Sequence, residues 1–357
     1  MIKPKSLQIA LIALQCALSI VLSAQHASKP KRVIFLIGDG MGLSQISGAM
    51  STYTGQNAFL RFPFIGLSKT SSAKQYITDS GAGATAFSIG KKTYNHAIGV
   101  DADTVPLPTL FELAKQRKLS TGVVVTSSIQ HATPASFYAH VGNRRLYDSI
   151  STFLLNGNCD IAIGGGTDFI FNRKDKRDLS AELKASGFLV INDTVLKDIV
   201  ATKYIYLLAK DGMPTMQKGR GDYLKRASEQ AIKNLSTNKN GFMLMIEGSQ
   251  IDWGGHENNY KYMASELYDF NETINAVLDM AAKDKEMLVV VTADHETGGL
   301  ALNEHDDPLR FSPIYTTKDH SGVMVPVFAY GAGAQEFAGM YENTEIFNKL
   351  VILLNLK

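Results

Sequence analysis

The sequence predicts an α/β fold in which a doubly wound, mostly parallel sheet carries helices on both faces. Continuous apolar runs rich in β-branched residues alternate with amphipathic segments along the 357 residues. Such runs are typical of parallel strands buried on both sides, and the segments between them are typical of crossover helices. No internal repeat, low-complexity segment or linker divides the sequence, so residues 25–357 are predicted to form one domain.

Six runs are predicted to be buried parallel strands. They are RVIFLIGDG (32–40), TGVVVTSS (121–128), CDIAIGGG (159–166), FMLMIEGS (242–249), EMLVVVTADH (286–295) and VPVFAYG (325–331). Helical patterns lie between them at residues 107–118, 223–235 and 264–283, and a last helix is predicted at residues 344–356.

The first 24 residues have the layout of a secretory signal peptide. Lys3 and Lys5 precede an apolar run over residues 7–21, which small and polar residues follow. An uncleaved membrane anchor is the alternative, but the run is short and is interrupted by Gln8 and Gln15. We therefore expect cleavage after residues 1–24 and a periplasmic or secreted protein without a stable membrane anchor.

Charge and cysteine content narrow the class of protein. The formal net charge is +2, and residues 1–24 hold two lysines and no acidic residue, so the processed chain is neutral. Neutrality argues against a nucleic-acid-binding surface, although it permits a local cationic site. Cys159 would be the one cysteine left after cleavage, which rules out an intramolecular disulfide and favours a buried free thiol.

Polar side chains of unusual kinds cluster where the predicted strands end. In chain order they are Asp39 after the first strand, His131, Thr133 and Arg144 after the second, Glu247, Asp252 and His256 after the fourth, Asp294 and His295 after the fifth, and His320 just before the last. In a doubly wound sheet, ligands bind at the carboxyl ends of the strands, so these side chains are predicted to meet at one edge.

Each of these residues also has an ordinary structural explanation. Asp39 lies between glycines, as turn residues do, Thr133 precedes Pro134, as in a helix start, and Arg144 could simply be solvated. Adjacent residues of a strand point to opposite faces, so Asp294 and His295 can serve one site only if the strand has ended before them. The joint placement after consecutive strands favours a site over these separate explanations.

The donor types favour metal ions. Zinc binds imidazole nitrogen and carboxylate oxygen, which suits one set of Asp252, His256 and His320 and a second set of Asp39, Asp294 and His295 with the Ser80 oxygen at the open position. Asp39, Thr133 and Glu247 offer hard oxygen donors, which suit magnesium. Three divalent ions, four carboxylates and Arg144 leave a charge of about +3, which would attract a phosphate dianion.

Ser80 stands at the start of an unusual run of small residues, TDSGAGATA (78–86). A helix that begins at Ser80 would direct unpaired backbone N–H groups and its positive dipole end at an anion. Small side chains would let the helix and a bulky anion approach closely. The sequence therefore predicts that Ser80 is a nucleophile, activated by a bound metal.

These motifs resemble those of the alkaline phosphatases. TDSGAGATA is similar to the nucleophile motif of that family, and IGDGMG, HATPA, IEGSQIDWGGH, TADHETGG and HSGVMVPVFAYG follow the family's pattern over residues 31–331. The resemblance implies a secreted phosphomonoesterase with two zinc ions, one magnesium ion and a covalent phosphoserine on Ser80. It also implies that Arg144 clamps two phosphate oxygens. Because every residue singled out addresses the phosphoryl group and none addresses a leaving group, small phosphate monoesters of many kinds are the expected substrates.

Two residues depart from the best-known bacterial members of that family. His131 stands where those carry Asp, and Trp253 stands where they carry Lys. The resemblance places both residues beside the metal ligands, where they would act through water. These two differences put the affinity for magnesium and the rate of phosphate release in doubt. The stretch between His295 and His320 is short, so we expect no large inserted crown domain. A homodimer is compatible with the resemblance, with a reduced interface.

Two other functions remain as alternatives. A phosphodiesterase or sulfatase of the same superfamily would usually lack the magnesium set, so Thr133 and Glu247 favour the monoesterase. An inactive phosphate- or metal-binding module is expected to have lost Ser80 or a ligand, and none is missing from the sequence.

Overall fold

The computed structural model describes residues 29–304 and 311–357; the predicted signal peptide lies outside these residues. The strands, in chain order, are β1 Arg32–Gly38, β2 Phe64–Lys69, β3 Ser120–Ser128, β4 Ile161–Gly165, β5 Leu189–Asn192, β6 Tyr204–Leu207, β7 Phe242–Gly248, β8 Met287–Thr292, β9 Glu296–Thr297, β10 Leu300–Glu304, β11 Phe311–Tyr315, β12 His320–Ser321, β13 Val325–Gly331 and β14 Gly339–Glu342.

Ten of these strands form the central sheet in the order β14-β2-β13-β8-β1-β7-β3-β4-β6-β5. The central strand β1 pairs in parallel with β7 on one side and with β8 on the other, so that Ile34 lies between Leu244 and Val289. The mostly parallel sheet confirms the predicted fold class. The predicted strands at 32–40, 121–128, 159–166, 242–249 and 286–295 become β1, β3, β4, β7 and β8.

The prediction of a parallel strand at 325–331 is wrong. This segment, β13, runs antiparallel to both of its neighbours, β8 and β2. A parallel partner of β8 would need a long crossover that returns the chain to the other edge of the sheet. The chain instead stays at the carboxyl edge through two short ribbons, β9–β12 and β10–β11, so β13 starts there and runs back.

Helices cover both faces of the sheet. They are α1 Leu43–Thr52, α2 Ser80–Ile89, α3 Leu110–Gln116, α4 Ala132–Ala135, α5 Tyr147–Thr152, α6 Asp168–Phe171, α7 Leu179–Ala185, α8 Tyr223–Leu235, α9 Gln250–His256, α10 Tyr260–Ala281 and α11 Thr344–Leu353, with short 3₁₀ turns at Ala58–Arg61, Phe153–Asn156, Met216–Lys218 and Ala334–Phe337. The predicted helix at 223–235 coincides with α8. The predicted helix at 264–283 begins earlier, because the Asn259 side chain accepts a hydrogen bond from the Tyr262 amide and caps it.

Two hydrophobic cores lie on opposite faces of the sheet. Successive residues of β1 belong to different cores, with Phe35 in one and Leu36 in the other. The first core contains Phe87 of α2, and the second contains Phe270 of α10. Since strand side chains alternate in direction, this division shows that β1 is buried from both sides, as its continuous apolar run predicts.

Four neighbouring strands, β8, β1, β7 and β3, are the ones that the predicted site residues follow. Their carboxyl ends therefore bring the following loops together at one edge. Within the described part of residues 296–321 the chain forms only the two ribbons, so no large crown domain is inserted there. Cys159 is a buried free thiol, as predicted. In the part of the chain that the structure describes, no helix is both long and apolar enough to span a membrane.

Candidate active site

A cleft of about 690 Å³ opens at the carboxyl edge of the sheet, and the side chains predicted from sequence meet in it or directly beneath it. Its lining includes Ser80, Arg144, Asp252 and His320. Three groups of potential metal ligands lie beside one another there, and within each group the ligand atoms are all within 4.8 Å of one another.

The first group consists of Asp252, His256 and His320. Asp252 and His256 lie one turn apart on α9, and the Asp252 carboxylate is 3.4 Å from His256 Nε2 and 3.6 Å from His320 Nε2. The two Nε2 atoms face each other at 3.2 Å. In both rings Nδ1 lies against a backbone carbonyl, that of Lys318 or that of Thr78, so Nε2 is the atom available to a metal.

The second group consists of Asp39, Asp294 and His295, with Ser80 beside them. Asp294 and His295 follow the end of β8 at Thr292, so both can face one site, as the sequence requires. His295 Nε2 lies 3.5 Å from Asp39 Oδ1, 3.2 Å from Asp294 Oδ2 and 3.2 Å from Ser80 Oγ. One ring nitrogen therefore points to the centre of three oxygen-bearing side chains.

The backbone conformation of Gly40, the residue after Asp39, lets the chain turn so that Asp39 lies in this position. Gly40 has φ +71°, a conformation that side chains other than glycine rarely adopt, and its N–H donates to Asp294 Oδ1 at 3.3 Å. A Cβ at Gly40 would come within 2.9 Å of the backbone of Asp252. The glycines around Asp39 therefore permit the close approach of three ligand-bearing loops.

The third group combines Asp39 and Glu247 with His131. Glu247 is at the end of β7, and the hydroxyl of Thr133 lies beside its carboxylate. His131 directly precedes α4, which contains Thr133. The structure thus brings His131, which the resemblance places in a supporting position, close enough to Asp39 and Glu247 to be a ligand itself.

Several buried polar atoms of these groups have no hydrogen-bond partner. They are both carboxylate oxygens of Asp39, Glu247 Oε1, Asp294 Oδ2, Thr133 Oγ1 and His131 Nδ1. A buried polar atom without a partner costs roughly 1–3 kcal/mol, and more when it is charged. Oxygen and imidazole donors left unpaired in one place match the ligand preferences of zinc and magnesium, so the residues fit the implied metal ions.

The pKa values of the acidic groups reflect burial next to like charges. Burial and the neighbouring carboxylates raise the pKa of Asp39 well above its usual range. Burial raises the pKa of Glu247 to about 7, and burial together with the charge of Asp252 raises the pKa of Asp294 to about 8. Without metal ions, all three carboxyl groups therefore bind protons more tightly than exposed carboxyl groups do, and Asp294 stays mostly protonated at pH 7.

The imidazole groups divide into two kinds. The hydrogen bond with Asp252 raises the pKa of His256 to about 9. Burial lowers the pKa of His131 to about 3, with a contribution from the Arg144 charge, and burial beside His320 lowers the pKa of His295 well below its usual value. His131 and His295 are therefore neutral, which is the state in which imidazole binds a metal.

Ser80 is the first residue of α2, as predicted. The Asp79 side chain caps the helix by accepting a hydrogen bond from the Ala82 amide at 3.0 Å. The small residues have a partner that the sequence did not reveal: a Cβ at Gly83 would lie 3.1 Å from Asp294. The helix therefore packs directly against the loop that carries a predicted zinc ligand.

Asp79 also holds Arg144. Arg144 Nη1 donates to Asp79 Oδ2 at 2.8 Å, and Nη2 lies 3.3 Å from His131 Nε2. The Arg144 side chain is 17% exposed, so its guanidinium faces the cleft while remaining supported from below. A backbone amide, that of His96, donates to the other Asp79 oxygen.

Sequence reasoning missed three supporting residues. Asp79 lies within the TDSGAGATA run and was given no role there, although its position next to Ser80 was a usable signal. The Thr297 hydroxyl donates to Asp252 and lies 3.2 Å from His295 Nδ1, so it joins the first and second groups. Glu296 accepts hydrogen bonds from Gln45 and Ser321 and fixes the ribbon that carries His320. The TADHETGG motif contains both residues but did not mark them as supports, because they act through side-chain hydrogen bonds to segments distant in sequence.

Trp253 forms part of the rim of the cleft. Its indole ring lies edge-to-face with the His131 ring at 6.2 Å, and a Cβ added to Gly212 would come within 2.5 Å of it. Trp253 is therefore packed between a candidate ligand and the loop that follows β6. It cannot supply the positive charge of the lysine that bacterial relatives are expected to carry there.

A doubly wound sheet, three adjoining ligand groups and a serine at a helix start together define a metal-dependent enzyme for an anionic substrate. A family model described as alkaline phosphatase matches residues 30–310 and 311–356, and the chain belongs to this family of phosphomonoesterases. The resemblance inferred from the motifs is thereby confirmed.

Curated relatives cover most of the chain. Alkaline phosphatase 3 of Bacillus subtilis is 34% identical over 407 aligned positions, which cover 88% of this chain and 87% of the relative. The alkaline phosphatase of Escherichia coli K12 is 30% identical over 412 positions, covering 93% of this chain and 88% of the relative.

Solved structures agree in fold. The alkaline phosphatase of the Antarctic bacterium TAB5 superposes with a TM-score of 0.89 at 45% identity, over 92% of this chain and 99% of its own. A variant of the TAB5 enzyme, in which a histidine is replaced by aspartate, has magnesium bound and a TM-score of 0.88.

Proposed function

We propose that this protein hydrolyses phosphate monoesters through a covalent phosphoserine on Ser80, at a site for two zinc ions and one magnesium ion. The observation that carries the proposal is the set of buried donor atoms without hydrogen-bond partners on Asp39, Thr133, Glu247 and Asp294. Two of these residues, Asp39 and Asp294, lie beside His295, whose Nε2 is 3.2 Å from Ser80 Oγ.

The donor sets suggest which residues hold which ion. Asp252, His256 and His320 would hold one zinc ion, and Asp39, Asp294 and His295, with Ser80 oxygen, would hold the other. Asp39, Thr133 and Glu247 would hold magnesium, a choice supported by the magnesium in the variant TAB5 enzyme. When bound, these ions supply positive charge that lowers the pKa of a hydroxyl and stabilises developing negative charge.

The protein's own residues position the groups that react. Ser80 Oγ attacks phosphorus, the bond from phosphorus to the ester oxygen breaks, and the alcohol leaves on the opposite side. The start of α2, where Ser80 lies, would bring the positive end of the helix dipole to the phosphoryl oxygens. Water then hydrolyses the phosphoserine, and inorganic phosphate leaves through the cleft.

Arg144 would bind two phosphoryl oxygens. Its guanidinium offers five N–H donors, and Asp79 and His131 engage only part of them. Because Asp79 holds Nη1 at 2.8 Å, the planar group is fixed before the substrate arrives. This preorganisation lowers the entropic cost of binding the transition state.

His131 and Trp253 would act beside the ligands. Imidazole suits transition metals better than magnesium, so His131 next to Asp39 and Glu247 would weaken magnesium binding at the third position. Trp253 brings no charge to the phosphate, and we expect it to affect the rate of phosphate release rather than the chemical step.

The proposal also covers processing of the chain, its localisation and its oligomeric state. We propose that residues 1–24 are a cleaved signal peptide, that residues 25–357 form one catalytic domain, and that the enzyme is periplasmic or secreted. The apolar run after Lys5 supports the first point, and the continuous ten-stranded sheet supports the second. A homodimer with a reduced interface is compatible with the short stretch between His295 and His320.

The proposal is tested with metal-stripped protein and two chromogenic substrates, p-nitrophenyl phosphate and bis-p-nitrophenyl phosphate. Zinc is added first and magnesium second. The expected result is a strong preference for the monoester, with activity that requires zinc and increases with magnesium. A preference for the diester that is indifferent to magnesium would place the protein among the phosphodiesterases and remove the third metal position.

A further inference from the structure

A second cavity, of about 610 Å³, lies beside the active-site cleft and has no part in the proposed reaction. Arg145 and Tyr147 line both cavities, so the segment that follows Arg144 forms their common wall. Adjacent Cα atoms are about 3.8 Å apart, so Tyr147 lies within roughly 11 Å of the residue proposed to clamp the phosphoryl group. The second cavity is thus within reach of the substrate's leaving group.

Three cationic side chains line this cavity: Arg145, Lys174 and Lys210. Two carboxylates, those of Asp148 and Asp168, line it as well. Positive charges therefore outnumber negative ones around a concave surface that adjoins a phosphate site. The ordinary explanation of such a set is a solvated surface of mixed charge, in which the cations and the acids form ion pairs with one another. The contacts of these side chains argue against that explanation.

The two carboxylates are already engaged. Asp168 Oδ1 accepts a hydrogen bond from the Asn172 side chain at 2.7 Å, and Asp148 Oδ2 accepts one from the Lys174 backbone N–H at 3.3 Å. Among the residues that the structure describes, the charged ends of the three cations have neither a hydrogen bond nor an ion pair. The hydrogen bonds orient the two carboxylates without cancelling their charge, so three cations and two acids leave a net charge of about +1 and a weak positive field around the cavity.

The wall also offers an apolar surface. The ring of Tyr147 stacks on the ring of Phe169, with centroids 4.5 Å apart and planes inclined by 13°. Stacking leaves each ring only part of its surface for other contacts, and it holds Tyr147 in place between the two cavities. A short hydrocarbon chain can cross this surface from the cleft to the cations.

We propose that this second cavity binds a negatively charged group carried by the leaving group of the substrate. The preferred substrates would then be phosphate monoesters whose alcohol bears a second anion, a carboxylate or another phosphate. This inference rests on the proposed function and narrows its substrate class. It also qualifies the broad specificity expected from the sequence, where no residue had been assigned to the leaving group.

The test compares pairs of alkyl phosphates of equal length, one ending in a methyl group and the other in a carboxylate, across a series of chain lengths. The measured quantity is the ratio of kcat/KM for the carboxylate ester to kcat/KM for the methyl ester. A third series ending in a second phosphate distinguishes the two kinds of anion. We expect a ratio above one at an optimal length, and a smaller ratio at high ionic strength, because salt screens exposed charges.

The matched variants remove equal charge at different places. Arg145→Gln, Lys174→Gln and Lys210→Gln together are expected to lower the ratio roughly five- to ten-fold, the effect of a few exposed charge interactions. The control combines Lys118→Gln, Lys184→Gln and Lys239→Gln, exposed lysines that line neither cavity. The control should keep the ratio of the unmodified protein.

Two results would overturn the inference: a ratio near one at every length, or the same ratio in both triple variants. Hydrolysis of the methyl esters reports separately on the proposed function, because these substrates carry no second anion. If no ester of either kind is hydrolysed by zinc-loaded protein, the proposed function fails; if methyl esters are hydrolysed and the ratio stays near one, the second cavity alone loses its role.

Discussion

Two imidazoles of the cleft, those of His256 and His320, lie against backbone carbonyls through Nδ1 and direct Nε2 towards each other. The neighbouring His295 is oriented by a side chain. The Thr297 hydroxyl donates to Asp252, so its oxygen is left to accept the Nδ1–H of His295. At the scale of single residues, therefore, the orientations of these candidate metal ligands depend on the groups that hydrogen-bond to them from behind.

Replacing Thr297 by valine keeps the shape of the side chain and removes its hydroxyl. Asp252 loses a donor and His295 loses the acceptor that fixes its ring, so we expect zinc affinity to fall about 10–100-fold. Competition titration with a chelator measures this change, and Thr194→Val, at an exposed position, is the control. Equal zinc affinities in the two variants would show that Thr297 does not orient these ligands.

Ser80→Ala and Asp252→Ala separate the nucleophile from the metal site. Ser80→Ala should leave measurable residual activity, because water can attack phosphorus while the metals and Arg144 remain in place. Asp252→Ala should cost more, because it removes a carboxylate shared by both histidines of the first group. Steady-state kinetics on one monoester compares them, with Asp198→Ala as an exposed control. Equal losses in the two variants would contradict this division of roles.

At the scale of elements, helix α2 and the loop after β8 form one unit. Gly83 lies so close to this loop that a Cβ would come within 3.1 Å of the side chain and the carbonyl oxygen of Asp294. Contacts this short force one of the two parts to shift. Because the backbone of Asp294 is part of the contact, the shift would move a predicted zinc ligand away from Ser80.

Gly83→Val is therefore expected to lower activity at least about tenfold, because a small displacement of a reacting group has a large effect on rate. Part of that activity should return at high zinc concentration, which monoester kinetics across a zinc series would measure. Ser88→Ala is the control on the same helix, since the Ser88 hydroxyl is buried without a hydrogen-bond partner. Unchanged zinc dependence in Gly83→Val would separate the helix from the metal site.

The sequence allowed prediction of those strands and site residues that a local pattern of residues specifies. Buried parallel strands were recognisable as continuous apolar runs, and the meeting of the candidate ligands after β1, β3, β7 and β8 followed from the geometry of such sheets. The direction of β13 was not recognisable, because a buried strand has the same pattern in either direction and only the preceding path decides it. Asp79, Glu296 and Thr297 escaped notice because their roles arise from contacts between distant segments.

At the scale of the whole molecule, the sheet buries Asp39, Glu247 and Asp294 completely beside one another. Like charges in one buried place disfavour ionisation, so the metal-free protein keeps protons that an unfolded chain would release. Divalent ions would replace these protons. Metal binding and folding are therefore coupled, and removal of the metals should lower the midpoint of thermal unfolding.

The pH dependence of the metal-free protein has a definite sign. Between pH 7 and 9 the unfolded chain holds its carboxyl and imidazole groups unprotonated, whereas the folded protein retains protons on Asp294 and His256, whose pKa values are about 8 and about 9. The free energy of unfolding should thus fall as pH rises, by at most about 1.4 kcal/mol per pH unit for the proton on buried Asp294, and by less for the proton on His256, whose side chain is 38% exposed and screened by solvent.

Denaturant titrations of metal-free and zinc-loaded protein at several pH values measure this slope. Zinc should remove most of it, because the bound ion keeps the carboxylates ionised and the imidazoles unprotonated throughout the range. A metal-free protein whose stability rises between pH 7 and 9 would contradict the protonation of these buried groups.

The central claim of this account, that Ser80 becomes phosphorylated during turnover, is tested most directly by rapid acid quenching followed by mass spectrometry. Zinc- and magnesium-loaded protein is mixed with excess monoester, quenched and digested, and the peptide containing Ser80 is analysed. We predict that a fraction of this peptide carries one added phosphoryl group on Ser80 and that Ser80→Ala carries none. Full turnover of the monoester with an unmodified Ser80 peptide at every quench time, or undiminished activity in Ser80→Ala, would contradict the claim.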